Sequence, residues 1–176
     1  MLAFVDADGS VPPASVADVI EPIRTGTADL SVGSRRHPDA TVETHQTVVR
    51  RYMGDSFAWL ARRLLDEQLS DYQCEAKVIT AAGWEMVREH LYEAGFAWDV
   101  ELIAIAGALD LHIEEVPIKW HDRPGSTVSP IRTPLSLGRA LVTTRHRSKR
   151  LSDGRLLMFS INWEIGLTVI NVPVMC

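Results

Sequence analysis

Short apolar runs alternate with amphipathic stretches along most of this chain, and that alternation limits the folds open to it. Leu2 to Val5, Ala28 to Val32, Ala76 to Ile79 and the stretch 112–120 have the length and composition of strands. Between them, apolar residues recur at three- and four-residue steps. Val16, Val19, Ile20 and Ile23 mark a helix capped by Ser15, and Tyr52, Met53, Phe57, Leu60, Leu64 and Leu65 mark a longer one over about 48–67. Further helices are expected over 81–91 and 100–109, and from Pro134 to about Arg147. Strands alternating with helices predict an α/β fold with a mostly parallel sheet and flanking helices. Ligands of such sheets gather at the carboxyl ends of the strands. The first strand ends in Asp6-Ala7-Asp8-Gly9 and the second in Gly33-Ser34-Arg35.

Charge narrows the partners. The formal net charge of −5 argues against a general nucleic-acid binder. Yet six of the eighteen basic residues fall between Arg139 and Arg155, where Asp153 is the one acid. Such a segment is expected either at a phosphate or anionic lipid surface, or as a solvated helix end. Cys74 and Cys176 form neither a disulfide framework nor a metal spacing, which fits a reducing compartment. The N-terminus has no secretory pattern. The tail 151–176 is apolar, but Glu164 inside it would cost about 2–3 kcal/mol in a bilayer. It is expected as a strand pair or a poorly ordered tail, with a membrane-associated or membrane-spanning segment as the alternative.

The motifs carry the chemistry. Mg²⁺ takes oxygen ligands and is often held by one or two carboxylates plus substrate phosphates. Asp6 and Asp8, flanking one small residue at a strand end, can supply them, with Gly9 for a sharp turn. Two exposed acids in a turn are also a common surface feature. Arg35 is placed to meet a phosphate with its forked donors, or to be a surface arginine. Arg123 with Gly125-Ser126 has the makings of a phosphate-facing loop. Asp99 and Glu101 open a helix, where the dipole alone would favour acids. His121 and Asp122 are adjacent and lack a third metal partner.

The stretches FVDADGSVPP, ADLSVGSRR, RRYMGDSFAWLARRLL, SDYQCEAK, GFAWDVELIAIA and EVPIKWHDRPGSTVS occur in the order found in family 2 glycosyltransferases. From about Leu2 to Arg147 the chain resembles their dolichyl-phosphate glucose/mannose synthase group. The resemblance implies a GT-A-like fold in which residues 1–150 form the C-terminal part of the domain. It implies metal-dependent, inverting transfer of a hexose from a nucleotide-sugar to a polyprenyl (dolichyl) phosphate, feeding glycan or protein glycosylation. Mg²⁺ or Mn²⁺ would be held by Asp6 and Asp8. Asp8, Asp71 and Arg123 would be catalytic, and Arg35, Arg51 and Ser126 would bind substrate phosphates. The setting would be cytoplasmic, at the inner face of a membrane. The acceptor phosphate is already anionic near neutral pH, so no general base is required.

Three departures stand out. Gln73-Cys74-Glu75-Ala76-Lys77 carries Glu75 where the family has glycine, which would be strained if that position needs positive φ. Gly54 stands where mannose synthases often have serine. The β/α units that cradle the nucleotide base in the family are missing ahead of Leu2, so the first strand is expected in the middle of an incomplete sheet. A non-catalytic remnant, or an interaction module needing a partner to complete that sheet, is the alternative expectation.

Overall fold

Leu2–Phe4 forms β1, and the chain then turns through Gly9, at φ 74°, towards helix α1, Pro13–Thr25. The computed structural model describes residues 1–43, 48–121 and 132–168, with the side chains of 43, 48–53, 96, 132–136 and 156–168 left aside. Helix α1 is started by Pro13, whose missing N–H costs nothing in a first turn. Ser15 is not the expected cap. It is buried, and its Oγ accepts a hydrogen bond from the Lys119 N–H at 3.0 Å. The remaining elements are β2 (Leu30–Ser34), β3 (Thr41–Glu43), α2 (Val48–Leu64), β4 (Lys77–Ile79), α3 (Ala81–Val87), α4 (Trp98–Ala108), β5 (Ile113–Pro117), β6 (Lys119–His121) and α5 (Arg132–Thr168).

The main sheet has the order β1-β4-β2-β5. Strands β1, β2 and β5 share one direction, but β4 runs against both neighbours, so only the β2–β5 ladder is parallel. This corrects the expectation of a mostly parallel sheet. β4 follows a loop rather than a crossover helix, so the chain enters the sheet from the end at which β1 and β2 leave it. Pro117 ends the long strand expected over 112–120, and Lys119–His121 leaves to pair with β3 inside what the sequence presents as a polar loop. β1 is an edge strand among the described residues.

Side chains alternate across the sheet as a pleat requires. Val78 faces Val19 of α1 together with Cys74, Ala76 and Ile118. Leu30, Val32 and Ile79 face the opposite layer of α2, α4 and α5. Helix α4 is apolar on most of its surface because it lies between sheet and helix: its buried residues are Val100 to Ala106 and Ala108, with Glu101 the one charged side chain among them. Fully buried Leu102, Ile103 and Ile105 each contribute about 1.5–3 kcal/mol by leaving water. Phe4 anchors β1 against Trp84 and Trp98, at ring separations of 5.5 and 4.9 Å. Helix α5 continues past residue 150 to Thr168, where a strand pair or poorly ordered tail was expected. Among the described residues, no helix is long and apolar enough to cross a membrane.

Candidate active site

The reversal of β4 builds the site. Its register with β1 pairs Leu2 with Ile79, Ala3 with Val78 and Phe4 with Lys77. Continued two residues further, that register sets Asp6 opposite Glu75. Asp8 is fixed by its own turn, accepting the Ser10 N–H at 2.8 Å and the Ser10 hydroxyl at 2.7 Å. The Ser10 carbonyl in turn accepts the His121 N–H at 2.9 Å, tying the turn to β6. One carboxylate oxygen from each of Asp6, Asp8 and Glu75 lies within 4.8 Å of the others.

Glu75 reaches this cluster with one oxygen, Oε2, buried and without a hydrogen-bond donor among the described residues. Burial pushes its carboxyl up, the hydrogen bond and charge of Asp6 push it further, and Arg35 opposes them, leaving it at about 7. Two facing carboxylates must share a proton or a cation to lie this close. The backbone strain expected at Glu75 is not present: Asp110 is the one non-glycine residue at positive φ among the described residues. The donor set is oxygen only, with Asp6 and Asp8 open to solvent on one side. That suits a hard cation which keeps positions free for waters or phosphates, so the residues fit Mg²⁺ or Mn²⁺.

Behind the cluster lies a buried ion pair. The Arg35 guanidinium grips Asp71 with Nε to Oδ2 at 2.7 Å and Nη2 to Oδ1 at 3.0 Å. Asp71 also accepts the backbone N–H of Arg35 and of Gln73, and Arg35 donates to the Gln73 carbonyl at 2.9 Å. Burial alone would raise the Asp71 carboxyl, but Arg35 outweighs it and holds the group at about 2. Arg35 stacks on Trp120 at 4.8 Å. Glu115 of β5 holds the loop from the other side, accepting the N–H groups of Ser70 and Asp71. Arg35 and Asp71 thus engage each other and position the loop that carries Glu75. Gly33 lets that loop approach: a Cβ there would meet Ala76, Cys74 and Ile118 at 3.2 Å. Burial pushes the Cys74 thiol up to about 11, so it is an inert packing group.

Lys77, fully buried, donates to Asp99 at 2.6 Å and to the Cys74 carbonyl. Asp99 therefore serves as more than a helix-dipole acid. Glu101 is fully buried too, accepting the N–H groups of Tyr92 and Glu93 at 2.7 Å and Arg147 at 2.6 Å. Half of the basic segment points inward in this way. Arg147 meets Glu101, Arg145 donates to the last carbonyl of α2 at Leu64, and Arg155 caps α4 at Ala108 and pairs with Asp110. Arg139, Lys149 and Arg150 are the members left exposed.

Of the expected site residues, Asp6 and Asp8 come together, and Arg35 and Asp71 pair behind them. Arg51 lies in α2 with its side chain outside the described residues, as are Arg123 and Ser126 altogether. Arg36 pairs with Asp55 and lies over Gly54, filling the space beside that glycine. Sequence reasoning assigned no role to Glu75 or Lys77; Lys77 opens the strand that opposes β1, and Glu75 lies in the loop just before it.

No family model matches the chain. Curated relatives do. Glycosyltransferase AglD of Haloferax volcanii is 24% identical over 143 residues, covering 81% of this chain and 23% of that protein. Dolichyl-phosphate beta-glucosyltransferase of Saccharomyces cerevisiae is 28% identical, covering 81% of this chain and 46% of the relative. The Mus musculus protein of the same name is also 28% identical, at 83% and 47%. The chain therefore spans from about a quarter to a half of the length of these relatives. Over about four-fifths of its own length, at 24–28% identity, the chain is similar to glycosyltransferases, dolichyl-phosphate beta-glucosyltransferases among them.

Proposed function

We propose that the chain is the metal- and acceptor-side part of a GT-A-type glycosyltransferase that moves a hexose, with inversion, from a nucleotide-sugar to a polyprenyl phosphate. The observation that carries the reading is the convergence of the Asp6, Asp8 and Glu75 oxygens within 4.8 Å at the carboxyl end of β1. The names of the relatives support the acceptor class. Asp6 and Asp8 would hold Mg²⁺ or Mn²⁺, which when bound neutralises charge on the diphosphate leaving group. Asp8 is pre-oriented for this by Ser10. Arg35 and Asp71 act as a positioning pair that fixes the loop under the cluster. Arg51, Arg123 and Ser126 are proposed to bind the donor or acceptor phosphates, since two anions must be brought together against their repulsion. The exposed Arg139, Lys149 and Arg150 would face an anionic, cytoplasmic membrane surface, at about 1 kcal/mol each.

The test is transfer of labelled hexose from UDP- or GDP-linked donors to dolichyl phosphate, with and without Mg²⁺ or Mn²⁺. Transfer that Asp8→Ala abolishes is expected; unchanged transfer in that variant rules out the metal role. One observation favours a second reading, an interaction module: β1 pairs on one side only among the described residues. A monomer in ultracentrifugation that also binds nucleotide-sugar would refute that reading.

A further inference from the structure

Strands β1 and β2 run in one direction on either side of β4, so their carboxyl ends open on the same edge of the sheet. Two strand spacings set those ends about 10 Å apart. The first end leads to Asp6 and Asp8, the second to the twin arginines Arg35 and Arg36. The two arginines diverge. Arg35 turns into the protein, where Asp71, the Gln73 carbonyl and the Trp120 ring take up its guanidinium. Arg36 turns along the surface. The buried Ser34 Oγ accepts the N–H groups of Arg36 and His37 at 3.2 and 2.9 Å, fixing the turn from which the Arg36 side chain reaches α2.

There the guanidinium lies on Gly54. A Cβ at that position would run into Nη2, with Cζ at 3.4 Å. Glycine is a poor residue for a helix interior, and the space it leaves in α2 is taken by Arg36. The guanidinium pairs with Asp55, whose side chain is 51% exposed, against 26% for Arg36. Exposed pairs of this kind hold weakly. A phosphate monoester offers an arginine fork two oxygens and more charge than a carboxylate. We propose that Arg36 binds the phosphate of the acceptor, with Gly54 making room for its guanidinium and Asp55 acting as a latch that the phosphate displaces. The inference rests on the reading of the chain as a transferase with a phosphate acceptor. It moves the phosphate-binding role expected of Arg35 to its neighbour, two strands along the sheet edge from the metal acids.

The experiment uses the 176-residue chain and two probes. Geranyl phosphate stands for the acceptor and magnesium pyrophosphate for the donor's diphosphate, with binding read by calorimetry. Arg36→Gln is expected to weaken geranyl phosphate binding about ten- to a hundredfold, as loss of a hydrogen bond to a charged group does. Magnesium pyrophosphate binding stays unchanged in that variant. Asp55→Asn is expected to tighten geranyl phosphate binding about two- to fivefold, since the exposed pair no longer competes. Gly54→Ala is expected to weaken it while melting no lower than the wild type, because alanine favours the helix and only the flexible end of Arg36 must give way. A purely structural clamp would not give opposite shifts from the two members of one ion pair. Arg24→Gln, which breaks an exposed pair with Glu21, controls for general surface charge and should change nothing. Geranyl phosphate binding indifferent to Arg36→Gln, or lost equally in Arg24→Gln, would overturn the role of Arg36 and leave the transferase reading standing. Asp55→Asn that fails to tighten binding would overturn the latch. Loss of magnesium pyrophosphate binding in Arg36→Gln, in place of geranyl phosphate binding, would overturn the assignment to the acceptor. A wild type that binds neither probe overturns both the inference and the reading beneath it.

Discussion

Replacing Arg35 by alanine strands Asp71, whose side chain is 2% exposed. Arg35 makes two charge-assisted bonds to that carboxylate, at 2.7 and 3.0 Å, a third to the Gln73 carbonyl at 2.9 Å, and stacks on Trp120 at 4.8 Å. Hydrogen bonds to charged groups contribute about 1.5–3 kcal/mol each, and a partly desolvated cation–π contact about 1 kcal/mol. These do not simply add, because the stranded acid can take up a proton. Breaking a buried pair from one side costs about 3–5 kcal/mol, and that is the expected loss in Arg35→Ala. An exposed arginine would cost less than about 1 kcal/mol. Urea unfolding followed by circular dichroism gives the value. Arg35→Lys should fall between, since an ammonium keeps the charge but not the fork. Adding Asp71→Asn to Arg35→Ala should recover stability, because no buried charge remains. A loss of less than about 1 kcal/mol in Arg35→Ala would refute this reasoning and return the residue to the surface.

Two further perturbations probe the same framework. Asp71 sits at about 2 in the folded chain against an ordinary 3.8, so its contribution is complete above pH 4 and is lost as pH falls from about 4 towards 2. That difference is worth about 2 kcal/mol, and Asp71→Asn should flatten stability across that window in acid-unfolding curves; an unchanged acid profile would contradict it. Lys77→Met leaves Asp99 without its partner at 2.6 Å and should cost about 3–5 kcal/mol by urea unfolding, much of it restored by Asp99→Leu in the double variant; independent, additive losses would show the pair is not coupled.

The sequence carried the elements better than their arrangement. Periodicity located α1, α2, α4 and the turn bearing Asp6 and Asp8, because amphipathic spacing and glycine chemistry are local. The direction of β4 is not local. It depends on which end of the sheet the chain reaches after α2, and no property of the Lys77–Ile79 run encodes that. Glu75 stood out as an acid in a glycine's place, but its meaning comes from the opposing strand. The same limit applies to the basic segment. Arg145, Arg147 and Arg155 have the composition of a charged surface, yet each reaches an acid or a helix-end carbonyl once α5 packs on α2 and α4. Asp99 and Glu101 satisfy the helix-dipole rule and also hold the buried Lys77 and the half-buried Arg147, a distinction only tertiary packing makes.

Diffraction at the manganese absorption edge, from crystals of this chain soaked in MnCl₂, tests the metal role of the aspartates. An anomalous peak within bonding distance of Asp6 and Asp8 is expected. A peak that avoids both carboxylates, or none at saturating Mn²⁺, would contradict that role.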